Sequence, residues 1–131
     1  MSLAISGVYI SLTAVLMIVL SWRVVRIRRR EKIGVGSGGN RQLQLAMRVH
    51  GNLMENAPLI MLMLVVAESN GMAPAWLHLL GSVWLAARLL HAIGLTQGGG
   101  GYHFGRFNGT LFTWLVLLTL ALFNLWAFIQ G

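Results

Sequence analysis

Arg48, Asn52 and Glu55 stand four and three residues apart in a stretch, RQLQLAMRVHGNLMENAPLIMLMLVVAES, that is otherwise apolar enough to cross a membrane. On a helix advancing about 100° per residue these spacings put all three in a narrow arc, with Arg41 on the same stripe one heptad earlier. Arg88, His91 and Arg106 add a second group of polar side chains farther along. Arginines hold carboxylates through paired hydrogen bonds, and Glu and Asn receive an ammonium or an amide. A cationic pocket with one carboxylate therefore suits a small zwitterionic ligand with excess negative charge. The competing reading is structural: Arg48 with Glu55, or Glu55 with Arg88, as buried ion pairs that brace helices. Six such residues at one depth tilt the balance toward a site.

The elements that position these residues follow from composition. The chain has 131 residues, 56% hydrophobic and only 10% charged, against about 25% charged in soluble domains. Apolar runs of about 20 residues recur along it, the pattern of a polytopic, all-α membrane protein. The expected architecture is a single domain over residues 1–131, a four-transmembrane-helix up-down bundle with helices at about 2–25, 41–69, 74–94 and 108–130. A charged residue at the centre of a lipid-facing helix costs about 3 kcal/mol, so the Arg48 stripe should face other helices.

The formal net charge is +7, and Arg23, Arg26, Arg28, Arg29, Arg30 and Lys32 cluster just after the first apolar run. That position marks a topology signal and an anionic-lipid contact, not a nucleic-acid surface. It places the first loop, up to about Asn40, in the cytoplasm and both termini on the opposite side, with the first helix retained rather than cleaved. With no cysteine, the chain has no disulfide, thiolate ligand or thiol nucleophile of its own.

Pro58 should bend the second helix. TQGGGGYHFGRF, residues 96–107, is too glycine-rich for a helix and reads as the loop leading back to the membrane beside Arg106. His50, His78 and His103 lack ligand spacing, so no metal is expected. Met54, Met61 and Met63 are expected at helix contacts. Trp22, Trp76 and Trp126 are expected at the membrane interfaces, Trp84 and Trp114 in packing, and Glu68 in solvent. A channel or transporter subunit is the weakest reading, because the polar residues stop near one face.

The segment from Arg48 to Pro58, RVHGNLMENAP, resembles the second-helix pattern of the MAPEG family, the membrane-associated proteins in eicosanoid and glutathione metabolism. Arg88-Leu-Leu-His91 is similar to the family's third-helix element, and the four-helix order and basic first loop agree. The resemblance implies a homotrimer in the lipid bilayer, with glutathione as co-substrate between neighbouring subunits near the cytoplasmic face. It implies that Arg48, Asn52 and Glu55 hold the tripeptide, that Arg88 and His91 belong to the same site, and that Arg106 is catalytic, facing the sulfur. A guanidinium there would favour the thiolate, the reactive form. The implied activity is a glutathione transferase, with or without peroxidase activity, acting on a hydrophobic small-molecule substrate. The alternative is a non-catalytic lipid- or ligand-binding protein of the same fold. Several catalytic members carry a tyrosine one turn after the third-helix histidine; Leu95 stands there in this chain, with Tyr102 in the loop as the substitute hydroxyl.

Overall fold

The apolar runs become four helices in the computed structural model, which describes residues 2–131: α1 (Ala4–Glu31), α2 (Arg41–Ser69), α3 (Pro74–Gln97) and α4 (Phe104–Gln130). Each is long and apolar enough to span a membrane. At 1.5 Å per residue even α3, with 24 residues, exceeds the roughly 30 Å hydrocarbon core. No strand occurs among the described residues, as expected where lipid can satisfy no exposed ladder edge.

Three helix boundaries differ from those expected. α1 continues six residues past the expected residue 25, through its basic cluster to Glu31, because arginine is a good helix former and Arg28, Arg29 and Arg30 meet the negative end of the helix dipole. Lys32 ends it in the left-handed conformation, with φ 55°. α3 runs on to Gln97, and α4 begins at Phe104 rather than near residue 108, since His103 caps it through a hydrogen bond from the Gly105 amide to Nδ1 at 3.0 Å. Arg106 thus lies in the first turn of α4 and not in the loop. α2 has the expected bounds; Asn40 caps it by accepting from the Leu43 amide at 2.9 Å, and Pro58 lies within it.

α2 and α3 pack against each other and against both remaining helices, whereas α1 and α4 do not touch. The cross-section is a diamond with α2 and α3 on its short diagonal. Trp84, Leu53, Ile60, Leu64, Leu77, Val116 and Leu120 fill its centre. Lipid tails are as apolar as leucine, so close backbone approach and interhelical hydrogen bonds must supply much of the association.

Both devices are present. α3 and α4 meet through glycines: a Cβ on Gly94 would lie 2.1 Å from the Arg106 amide nitrogen, and one on Gly105 or Gly109 would lie 2.6 Å from the carbonyl oxygen of Leu90 or Ala87. α1 docks through polar hooks. Trp84 Nε1 donates to Thr13 Oγ1 at 3.0 Å, and Tyr9 Oη lies 3.0 Å from the His78 carbonyl and 3.1 Å from Ser82 Oγ.

Glu68 is not left to solvent as expected. Its carboxylate accepts from the Ile5 and Ser6 amides at 3.1 and 2.7 Å, so a side chain at the end of α2 caps the start of α1. The first amides of a helix have no partner within it, and a carboxylate opposite them also meets the positive end of the dipole. Trp84 is fully buried as expected, but Trp114 is 63% exposed on α4 and packs in no core of this chain.

Candidate functional site

The expected site residues fall into three layers at the end of the bundle that carries the α1–α2 and α3–α4 loops. The outermost layer is the Arg48 stripe. Arg48 Nη1 donates to Glu55 Oε1 at 3.2 Å, and both side chains remain more than half exposed. The pair spans two turns of α2 and braces no other helix of this chain, contrary to one form of the structural reading. Being open, the pair keeps its Coulomb attraction modest and its groups exchangeable for a ligand's.

The second layer is buried. Arg88 is 3% exposed, with Nη1 donating to Thr113 Oγ1 of α4 at 3.1 Å, Nη2 donating to Asn52 Oδ1 of α2, and its guanidinium carbon 5.6 Å from the centre of a Trp84 ring. One side chain of α3 therefore ties α2 to α4. The Glu55–Arg88 ion pair of the competing structural reading does not form; Asn52 takes the place of the carboxylate. His91, one turn farther along α3, is also 3% exposed, and its Nδ1 has no hydrogen-bond partner among the described residues.

The third layer surrounds Arg106. Its Nη1 donates to the Gly100 carbonyl and, at 3.2 Å, to that of Gly101. Arg41 reaches the same turn from α2, its Nη2 donating to the Gly99 carbonyl. The turn suits this role because Gly99 and Gly100 take φ of 59° and 87°, conformations costly for other residues, which direct successive carbonyls outward.

Arg106 is the wall between two grooves. One, of about 550 Å³, is the more polar and is lined by Arg41, Gln44, Arg48, Leu95, Gly100 and Arg106, among others. The second, of about 440 Å³, is largely apolar and is lined by Tyr102, Arg106, Phe107, Leu111 and Trp114, with Thr110 beside them. A charged, hydrogen-bonding compartment thus adjoins a greasy one, with a single guanidinium common to both. Such an arrangement can hold an anion next to a hydrophobic molecule.

Of the six residues singled out from sequence, Arg48 and Arg106 line the polar groove, Glu55 is held beside Arg48, and Asn52, Arg88 and His91 stand deeper. Sequence reasoning missed Thr113, the α4 partner of Arg88. Its signal is the four-residue repeat of small side chains, Gly105, Gly109 and Thr113, which marks the buried face of α4. Arg41 was placed on the stripe, but its grip on a loop 58 residues away has no local signature. Leu95, at the position where a tyrosine was sought, does face the polar groove, and Tyr102 lies in the wall of the apolar one.

Comparison with known proteins places the chain among relatives. The chain is 36% identical over 126 residues to the inner membrane protein YecN of Escherichia coli strain K12, covering 93% of this chain and 91% of that protein. The match to YecN of Escherichia coli O6:H1 is equally close. The profile of the MAPEG family matches residues 6–126, nearly the whole four-helix bundle. With four membrane-spanning helices matched from the first to the last, this chain is an integral, multi-pass membrane protein that belongs to the MAPEG family.

Proposed function

We propose that this protein is a membrane-bound glutathione transferase that joins the glutathione thiolate to hydrophobic electrophiles arriving from the lipid. The observation that carries the reading is the position of Arg106 on the wall shared by the polar and the apolar groove. Glutathione carries two carboxylates and one ammonium, and Arg41, Arg48 and Glu55 offer matching charges at the polar groove and its rim. The open Arg48–Glu55 pair would exchange its internal contact for the ligand's carboxylate and ammonium. In the homotrimer proposed here, a neighbouring subunit closes the exposed side of that pair. The positive-inside rule puts this end of the bundle in the cytoplasm.

Arg106 would act on the sulfur. A guanidinium beside the thiol favours loss of its proton to water, and the thiolate lone pair then attacks the electrophilic carbon. With a chlorodinitroarene the carbon–sulfur bond forms, the carbon–chlorine bond breaks, and chloride leaves with its electron pair. With a hydroperoxide the thiolate would attack the terminal oxygen instead: the oxygen–oxygen bond breaks, and the alkoxide leaves and takes a proton from water. A second glutathione then displaces water from the resulting sulfenic acid to give the disulfide, the peroxidase form of the chemistry. The apolar groove holds the electrophile beside the charge and limits competing hydrolysis.

A second reading, a protein that binds lipid or another apolar ligand without turnover, draws on two observations. Arg106 is engaged by loop carbonyls, and the groove position that could carry a tyrosine hydroxyl is Leu95. Calorimetry with glutathione, followed by thiolate absorbance and chlorodinitrobenzene turnover, separates the two. Binding with turnover supports the transferase, lipid binding without turnover supports the second reading, and absence of glutathione binding ends the first.

A further inference from the structure

A groove of about 260 Å³ lies between α1 and α3, lined by Arg23, Ala92, Ile93, Thr96 and Gln97. It is separate from both grooves at Arg106 and shares no lining residue with them. Thr96 and Gln97 end α3, whereas α1 continues for eight residues beyond Arg23. The groove therefore opens where the shorter helix ends, beside the basic end of α1. Polar side chains stand at this end, and Ala92 and Ile93 lead inward. One turn deeper on each helix, the apolar Val19 and Leu89 are exposed.

Arg23 is half-buried and held in one orientation: its Nη1 donates to Thr96 Oγ1 at 3.1 Å, while that hydroxyl donates to the Ala92 carbonyl at 2.7 Å. A guanidinium has five N–H groups, so four are left without a partner among the described residues. Among the described residues no carboxylate forms an ion pair with it. The three acidic residues are Glu31, Glu55 and Glu68, and they hold Arg30, Arg48 and the α1 amides respectively. A partly desolvated cation at the headgroup level with no internal anion calls for an external one.

We propose that this groove binds one anionic phospholipid, its phosphate on Arg23 and one acyl chain along Ile93, Leu89 and Val19. Phosphate suits the planar guanidinium through paired hydrogen bonds, and the Gln97 amide can receive a headgroup hydroxyl. Arg26, exposed three residues on along the same face of α1, adds attraction for a negative headgroup. The bound lipid would fill the seam between α1 and α3 and fasten α1 at the end opposite its Glu68 cap.

The test is native mass spectrometry of the purified protein, released from detergent after titration with dioleoylphosphatidylglycerol or dioleoylphosphatidylcholine. At about 0.5 M ammonium acetate, attraction from exposed arginines is screened, whereas the paired contact in the groove persists. The expected result is one phosphatidylglycerol per chain, retained about tenfold better than phosphatidylcholine, with R23Q bringing retention down to the phosphatidylcholine level. R29Q, on the exposed part of the same cluster, should change it by less than about twofold. Equal loss in R23Q and R29Q would mean diffuse attraction only, and unchanged retention in R23Q would mean another site; either overturns the proposal. Full competition by soluble glycerol phosphate at equal concentration also overturns it, because the acyl chain would then contribute nothing. If circular dichroism shows R23Q unfolded, T96V carries the test, since it keeps the charge and removes only the hydroxyl that orients Arg23. Retention about threefold lower in T96V supports the site, and wild-type retention overturns it.

Discussion

Gly94→Ala should be among the most damaging single-methyl changes available to this protein. The added carbon would lie 2.1 Å from the Arg106 amide nitrogen and 2.6 Å from the Gly105 carbonyl carbon, both backbone atoms of α4 that cannot rotate away. Reaching the 3.4 Å of ordinary contact requires α4 to recede by about 1.3 Å at its first turn, an overpacking that costs on the order of 3 kcal/mol. Part of that cost falls on neighbouring contacts: the Gly105 approach to Leu90 opens, and so does the Gly109 approach to Ala87 and His91. Helix propensity works in the opposite direction, favouring alanine by about 1 kcal/mol, so the net loss should be about 2 kcal/mol. The control is Gly7→Ala in α1, where an added Cβ meets nothing within 4 Å and only the propensity gain remains. Equilibrium unfolding in mixed micelles, read by circular dichroism, should therefore move in opposite directions for the two variants. The consequence for the site follows from the same geometry, since displacing the first turn of α4 displaces Arg106. Glutathione binding and turnover in G94A should fall more than the loss of folded protein accounts for. A G94A protein as stable as wild type would refute the close α3–α4 approach and the positioning argument built on it.

Thr113→Val keeps the side-chain shape but leaves Arg88 Nη1 with no acceptor at the helix junction, and should cost about 1–3 kcal/mol in the same unfolding assay. Glu68→Gln weakens the cap on the Ile5 and Ser6 amides by about 1 kcal/mol, read as faster amide exchange confined to the first turn of α1. Arg106→Ala should lower kcat for chlorodinitrobenzene by about 100-fold, with a smaller effect on glutathione affinity; unchanged turnover would remove it from the chemistry. Arg41→Gln removes a tie to the Gly99 carbonyl and should expose the 98–103 loop to proteolysis while leaving the helices intact.

Much of this architecture could be read in advance because lipid imposes a simple length requirement. Four apolar runs had to become four spans, and residues at spacings of three and four had to share a face. Boundaries were harder to see where composition and conformation diverge. A run of arginines looks like a loop in a hydropathy profile, but it is good helix, and α1 accordingly continues to Glu31. Partners across helices were the least legible. The Arg48–Glu55 pair lies within one helix and follows from its spacing, whereas Arg88 meets Asn52 and Thr113 only through the azimuths of three helices. Glu68 misled for the same reason: a carboxylate at the end of a span looks solvated until the start of another helix is placed beside it. The glycines of α4 carried a readable signal in Gly105 and Gly109, although their counterpart Gly94 resembles any other glycine near a helix end.

Arg88 makes the loop end of the bundle behave like a tripod. With Asn52 and Thr113 as its other two feet, three rods meet at a pinned joint, and a pinned joint resists twisting as well as separation. Side chains mounted just above that joint keep their mutual bearings while the far ends of the rods breathe with the thickness of the surrounding bilayer. Cutting any one foot should turn the joint into a hinge, and the rods would then swing before they part.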